Sequence, residues 1–144
     1  LEVSLIVIPL LGFMFLLLDV AMVVFMRSTF QNAVREGVRY GITGQNTPGP
    51  CQDDSIKAVV QTYSLGFLTA QGPAATMHVH WINPVTGQVA NNSAGNIIEV
   101  SVENYGYGPL APFYRLGLPA QLWAQAFDVM QPVPGGAPCL SKIE

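Results

Sequence analysis

Charge is scarce in this chain. Only 10 % of its 144 residues are Asp, Glu, Lys or Arg, against about a quarter in ordinary soluble domains. Six Lys and Arg stand against nine Asp and Glu, for a formal net charge of −3. So small a basic complement cannot neutralise a phosphate backbone, and nucleic acid is not expected as a partner. Cysteine is scarcer still. Cys51 and Cys139 are the only two, too few for a disulfide scaffold or a four-Cys zinc site. There is no internal repeat and no low-complexity tract. A nucleophile elbow and a Gly-rich phosphate loop are also missing. The expectation is no enzyme, with no cofactor, no catalytic residue and no metal site.

What the chain has in excess is apolar side chain, 50 % of all residues, which excludes intrinsic disorder. The excess is concentrated. From Val3 to Met26 the sequence reads VSLIVIPLLGFMFLLLDVAMVVFM, interrupted by polar side chains only at Ser4 and Asp19. At roughly 24 residues the stretch is long enough to cross a ~30 Å hydrocarbon core as a helix. A secretory signal has a shorter apolar part, basic residues ahead and a small-residue cleavage site behind, a pattern not seen here. The helical spacing continues through Phe30, Ala33, Val34 and Val38. One helix is therefore expected up to about Gly41, on the order of 60 Å long. Gly41, Gly44 and Pro48-Gly49-Pro50 should stop it.

Two signals for orientation conflict. Arg27, Arg35 and Arg39 follow the apolar run, and by the positive-inside rule they place the C-terminal part in the cytoplasm. Cys51 and Cys139 flank a compact region, which is best explained by a disulfide formed in an oxidising compartment. A basic leader ahead of Leu1, cleaved away, would reconcile them, so a processed chain is expected.

The division expected is a filament-core or transmembrane helix over 1–45 and a small α+β surface domain over 46–144. In the second part, Asp53 to Leu68 reads as an amphipathic helix with Ile56, Val59, Val60 and Tyr63 inward. Thr76 to Ile82 alternates, with Met77, Val79 and Trp81 opposite His78 and His80. Ile97 to Tyr105 alternates again, with Ile98, Val100 and Val102 opposite Glu99, Ser101 and Glu103. Leu122 to Met130 supplies a third strand with Trp123, Phe127 and Val129 on one side and Asp128 on the other. Three strands with one covered face make an antiparallel sheet. The fold class is α+β.

Two weaker patterns stay open. His78 and His80 share a strand face and could ligate a metal, but no further ligand stands at telling spacing and a plain surface pair is the simpler reading. Tyr105, Tyr107, Phe113 and Tyr114 form either an adhesive or electron-hopping surface or the packing of a Pro/Gly loop.

The run EVSLIVIP at Glu2–Pro9, the acidic Asp19 in the apolar stretch and QNAVREGVRYGITG at Gln31–Gly44 resemble TadE-like pilins and pseudopilins, of the type IV, Tad-type group. The segment IEVSVENYGYGPL at Ile98–Leu110 is similar to a second, weaker motif of that family. The family places its glutamate at the fifth mature position, whereas here it stands at position 2. The resemblance implies a bacterial prepilin leader removed by a dedicated peptidase, an inner-membrane stage, and contact with pilus assembly machinery. It further implies polymerisation of identical subunits through their N-terminal helices into an extracellular filament on the cell surface. The alternative is a membrane-anchored minor pseudopilin of a pilus or secretion machine.

The helix chemistry points to assembly independently. Pro9 loosens its preceding turn, a defect that neighbouring helices repair. An acidic side chain within hydrocarbon costs up to ~2.5–3.5 kcal/mol near the centre of a span. Asp19 and Arg27 lie about 12 Å apart along one helix and cannot pair there, but a neighbouring, axially shifted copy can bring Arg27 or an α-amino group to Asp19 or Glu2. Glu2, Pro9, Asp19 and Arg27 are thus the candidate assembly residues.

Overall fold

The computed structural model describes residues 2–45, 50–68, 76–108, 120–133 and 138–140. Helix α1 runs from Glu2 to Ile42 without interruption, 41 residues with Pro9 inside it. Gly44, at φ +65°, ends it: its N–H donates to the Gly41 carbonyl at 3.0 Å. Helix α2 covers Gln52–Tyr63, shorter than the expected Asp53–Leu68. The Ser64 hydroxyl takes over at its end, donating to the Gln61 carbonyl and accepting the Leu68 N–H. That local competition for backbone groups is what stops a helix at serine.

Strands β1 (Thr76–Ile82), β2 (Ile97–Tyr107) and β3 (Ala120–Val129) form one antiparallel meander with β2 in the middle. The fold class is the expected α+β. The face of β1 with Val79 and Trp81 and the face of β2 with Ile98, Val100 and Val102 are buried, as their alternation implies. On β3 the buried face is that of Leu122 and Ala124, so Trp123, Phe127 and Val129 lie on the outer face and are exposed. This inner face is the one across which α1 packs, over β3 and β2. Tyr63, expected inward on α2, is also exposed, while Ile56 and Val60 reach the core.

The core is built on the C-terminal half of α1. Met26, Phe30, Ala33, Val34 and Val38 are buried against the sheet and α2. Gly37 and Gly41 let the partners come close, since a Cβ on Gly37 would collide with Val60 and one on Gly41 with Ile98. At the far end of the domain Cys51 and Cys139 form a disulfide, 88 residues apart in sequence. The Gln52 N–H donates to the Cys139 carbonyl at 2.8 Å, and the buried Gln52 amide donates to the Gly41 carbonyl at 3.0 Å. The Asn92 amide in turn donates to Gln52 Oε1 at 2.6 Å and to the Pro138 carbonyl at 2.8 Å. This network gives the Gly41 carbonyl a second donor beside the Gly44 N–H and ties the C-terminal tail to both helices.

Candidate functional site

Helix α1 has two halves that differ in what touches them. Among the described residues, the first side chain of α1 to be buried is Asp19, 6 % exposed. Before it, Val3, Ile6, Ile8, Leu10, Phe13 and Leu17 are all more than half exposed. Glu2 to Leu18 is therefore an apolar rod about 25 Å long that projects from the domain. From Ile6 onward α1 is long and apolar enough to cross a membrane. In water that surface is strongly unfavourable, at about 25 cal/mol for each Å² left exposed. Lipid or other apolar helices must cover it.

The junction between rod and domain is marked by Asp19 and Tyr107. The Tyr107 hydroxyl donates to Asp19 Oδ1 at 2.9 Å. Burial, then the hydrogen bond to Asp19 and the carboxylate's charge, push the Tyr107 phenol above its ordinary pKa of 10.0. A β-bulge puts that phenol in place. The pairing of β2 with β3 shifts register between Val102 and Tyr105, and Asn104 within the shift has φ +57°. The extra residue resets the alternation, so Tyr105 and Tyr107 turn toward α1. Tyr105 meets Phe30 edge-on with ring centroids 4.8 Å apart, and Phe67 meets both Phe25 and Phe30 edge-on. The domain thus presents aromatic rings around α1 where the apolar rod begins.

Of the sequence-derived candidates, Asp19 and Arg27 do not meet within the subunit: Asp19 is buried against Tyr107 and Arg27 is exposed. Glu2 is the first residue of α1, with its side chain outside the described part, and Pro9 lies in the projecting rod. Tyr107 was the residue missed as a partner of Asp19. Its signal was the broken alternation at Glu103-Asn104-Tyr105, where a strictly alternating strand would have put both tyrosines on the other face. Phe113 and Tyr114, of the expected aromatic cluster, lie outside the described residues. His78 and His80 stack on the outer sheet face, ring centroids 5.5 Å apart. Among the described residues no three His, Cys, Asp or Glu side chains are grouped to hold a metal ion.

Comparison with known proteins agrees with the segment that carries the geometry. Residues 1–39, nearly all of α1, match the model of the TadE-like protein family. No curated protein and no solved structure matches the chain.

Proposed function

We propose that the chain is a structural pilin subunit that polymerises through the Glu2–Leu18 rod into an extracellular, Tad-like type IV filament. A TadE-like segment that coincides with an N-terminal apolar helix fits a pilus-associated, membrane-anchored protein. The observation that carries the finer reading is the sharp division of α1. One half is core to its own domain and the other is apolar, bare and rigidly continuous with it. A rod of that kind serves twice. It lies in the inner membrane after synthesis and exchanges lipid for neighbouring rods when subunits assemble.

In that reading 1–45 supplies the filament core and 46–144 the surface, with prepilin peptidase and assembly machinery as transient partners. Glu2 sets the axial register, while Asp19 is met by the Tyr107 hydroxyl of its own subunit. A carboxylate in a packed, dry core persists only where a cation or donors meet it, and the cation proposed for Glu2 is a neighbouring subunit's α-amino group or Arg27. The second reading, a membrane-anchored minor pseudopilin, keeps the same anchor and gives up the homopolymer. Electron microscopy of sheared surface material with antibody to this chain decides between them. Thin fibres labelled along their length are expected for the major subunit. Label confined to the membrane fraction contradicts it.

A further inference from the structure

The domain has two bare surfaces on opposite sides, and they are complementary. On the outer face of the sheet, Trp123 and Phe127 are 58 % and 72 % exposed, with exposed Val129 beyond them. Register places this β3 row beside Glu99 and Ser101 of β2, with Phe127 opposite Glu99 and Gln125 opposite Ser101. Gln125 Nε2 donates to Glu99 Oε1 at 2.6 Å, which holds that carboxylate upright beside the rings. Glu103 stands at the bulge, exposed, in the cleft that Trp123 also lines. The sheet carries no Lys or Arg among the described residues, and the stacked His78 and His80 of β1 lie opposite Ser101 and Glu99 on the far side of the carboxylates. It is an aromatic ridge with carboxylates along one side.

On the helix side, two shallow clefts that share Tyr63 run between α1 and α2. Arg35 and Arg39, one helical turn apart, stand along them and are exposed; the Arg39–Glu36 contact is a loose 3.9 Å pair. Tyr63 and Leu65 supply exposed apolar surface on the other wall. The ridge from Trp123 to Phe127 is about 13 Å long at ~3.3 Å per residue. The α1 wall from Ser28 to Thr43 is about 22 Å at ~1.5 Å per residue. The ridge is short enough to lie in the groove. Guanidinium groups pair with carboxylates and also stack on Trp and Phe faces, so one pair of arginines answers both features of the ridge.

From this match we propose that the outer sheet face of one subunit docks into the α1/α2 groove of a second copy of this chain. Ridge and groove lie on opposite sides of the domain, so no chain can join its own. The contact is heterologous, and a heterologous contact propagates into rings or open helical arrays rather than closed pairs. It deepens the polymer reading above, on which its biological setting rests, by naming a second assembly element outside the apolar rod.

The test uses the full chain in its own membrane, with cysteines introduced at the middle of each face, Gln125→Cys and Asn32→Cys. Both native cysteines are taken up in the Cys51–Cys139 disulfide, so a short bis-maleimide reads only the introduced thiols. The double variant should give a ladder of dimers, trimers and higher species, and each single variant should stay monomeric. Reversing Arg35→Glu and Arg39→Glu together should cut the ladder severalfold, and adding Glu99→Lys with Glu103→Lys should restore it. A ladder without fibres sinks the filament reading and leaves the interface standing. Fibres whose subunits give no ladder overturn the interface and leave the filament reading standing. Dimers from Gln125→Cys alone mean that sheets pair face to face, which overturns it as well. If the cysteine variants do not accumulate, a photoreactive benzoylphenylalanine at position 127 replaces them. Its cross-links should map to the α1/α2 groove of another copy, and mapping elsewhere overturns the proposal.

Discussion

The Tyr107 hydroxyl reaches the Asp19 carboxylate across 88 residues of sequence, at 2.9 Å, and joins the end of β2 to the point where α1 leaves the domain. An acidic residue in a long apolar run is thereby met by a donor of its own subunit. Its position also dates the boundary between rod and domain to one helical turn. Most of the described side chains before it are exposed, and the aromatic rings of the domain begin beside it.

Tyr107→Phe removes that donor. A hydrogen bond to a charged acceptor contributes ~1.5–3 kcal/mol, and unfolding of the detergent-solubilised chain by urea should show a loss in that range. The same contact has a pH signature. Because folding raises the Tyr107 pKa, the folded state favours the protonated phenol. Its contribution is complete below the ordinary value of 10 and is lost as the pH climbs through the raised one. Absorbance titration near 295 nm should show one tyrosine ionising late in the native chain and no such step in Tyr107→Phe.

The bulge is testable at Asn104. A β-branched residue is strained at φ +57°, so Asn104→Val should cost about 1–2 kcal/mol while Asn104→Gly is tolerated. Deleting the residue should restore strict alternation and still leave Tyr107 facing Asp19, because Tyr105 and Tyr107 then fall in step with Val102. The late tyrosine step in the titration should then persist, and its loss would contradict this account of the bulge.

Gly37 and Gly41 should resist enlargement. Alanine is the better helix former by about 1 kcal/mol, yet its methyl would strike Val60 or Ile98. Overpacking a core of this kind costs ~1–3 kcal/mol. Gly37→Ala and Gly41→Ala should each lower Tm in differential scanning calorimetry, the reverse of what an exposed helix would show.

Reduction of Cys51–Cys139 should release the tail from α2. For a sequence separation of 88 the chain-entropy model gives up to ~4–5 kcal/mol, often less in practice. Gln52→Ala should add to the loss, because it removes one hydrogen bond each from the Gly41 carbonyl and the Asn92 amide and cuts the link between α1, α2 and Asn92. Urea midpoints with and without reductant measure both, and equal midpoints would mean that the tail is held without its bridge.

Glu2→Ala should cut filament yield sharply while expression and membrane insertion persist, since a stranded partner of a buried charge pair costs ~3–5 kcal/mol. Asp19→Asn should be milder, because the amide oxygen still accepts from Tyr107. Yields are read by quantitative blotting of sheared material. Native yield in both variants would mean that neither carboxylate sets the register.

Element order, the meander and the two buried strand faces were legible because each follows from alternation within a few residues. The helix was legible for the same reason. Its division was not, since the apolar side chains that meet the sheet after Met26 and the described ones that stand exposed before Leu18 are the same residue types. Burial by a distant segment leaves no local mark. The outward turn of Trp123 and Phe127 was hidden for a related reason. Hydrophobicity favours the larger side chains inside, but Leu122 and Ala124 take the inner face, across which α1 packs. A disulfide could be inferred from two flanking cysteines. The Gln52–Asn92 network around it could not, because nothing in a glutamine reveals a carbonyl eleven residues back.

Helical reconstruction of the sheared fibres by electron cryo-microscopy tests the assembly role of the rod most directly. Density for Glu2–Leu18 should lie at the fibre axis, packed against the same segment of neighbouring copies, with the sheet at the outer radius. Fibres in which that segment lies at the periphery, or fibres built from a chain lacking it, would contradict that role.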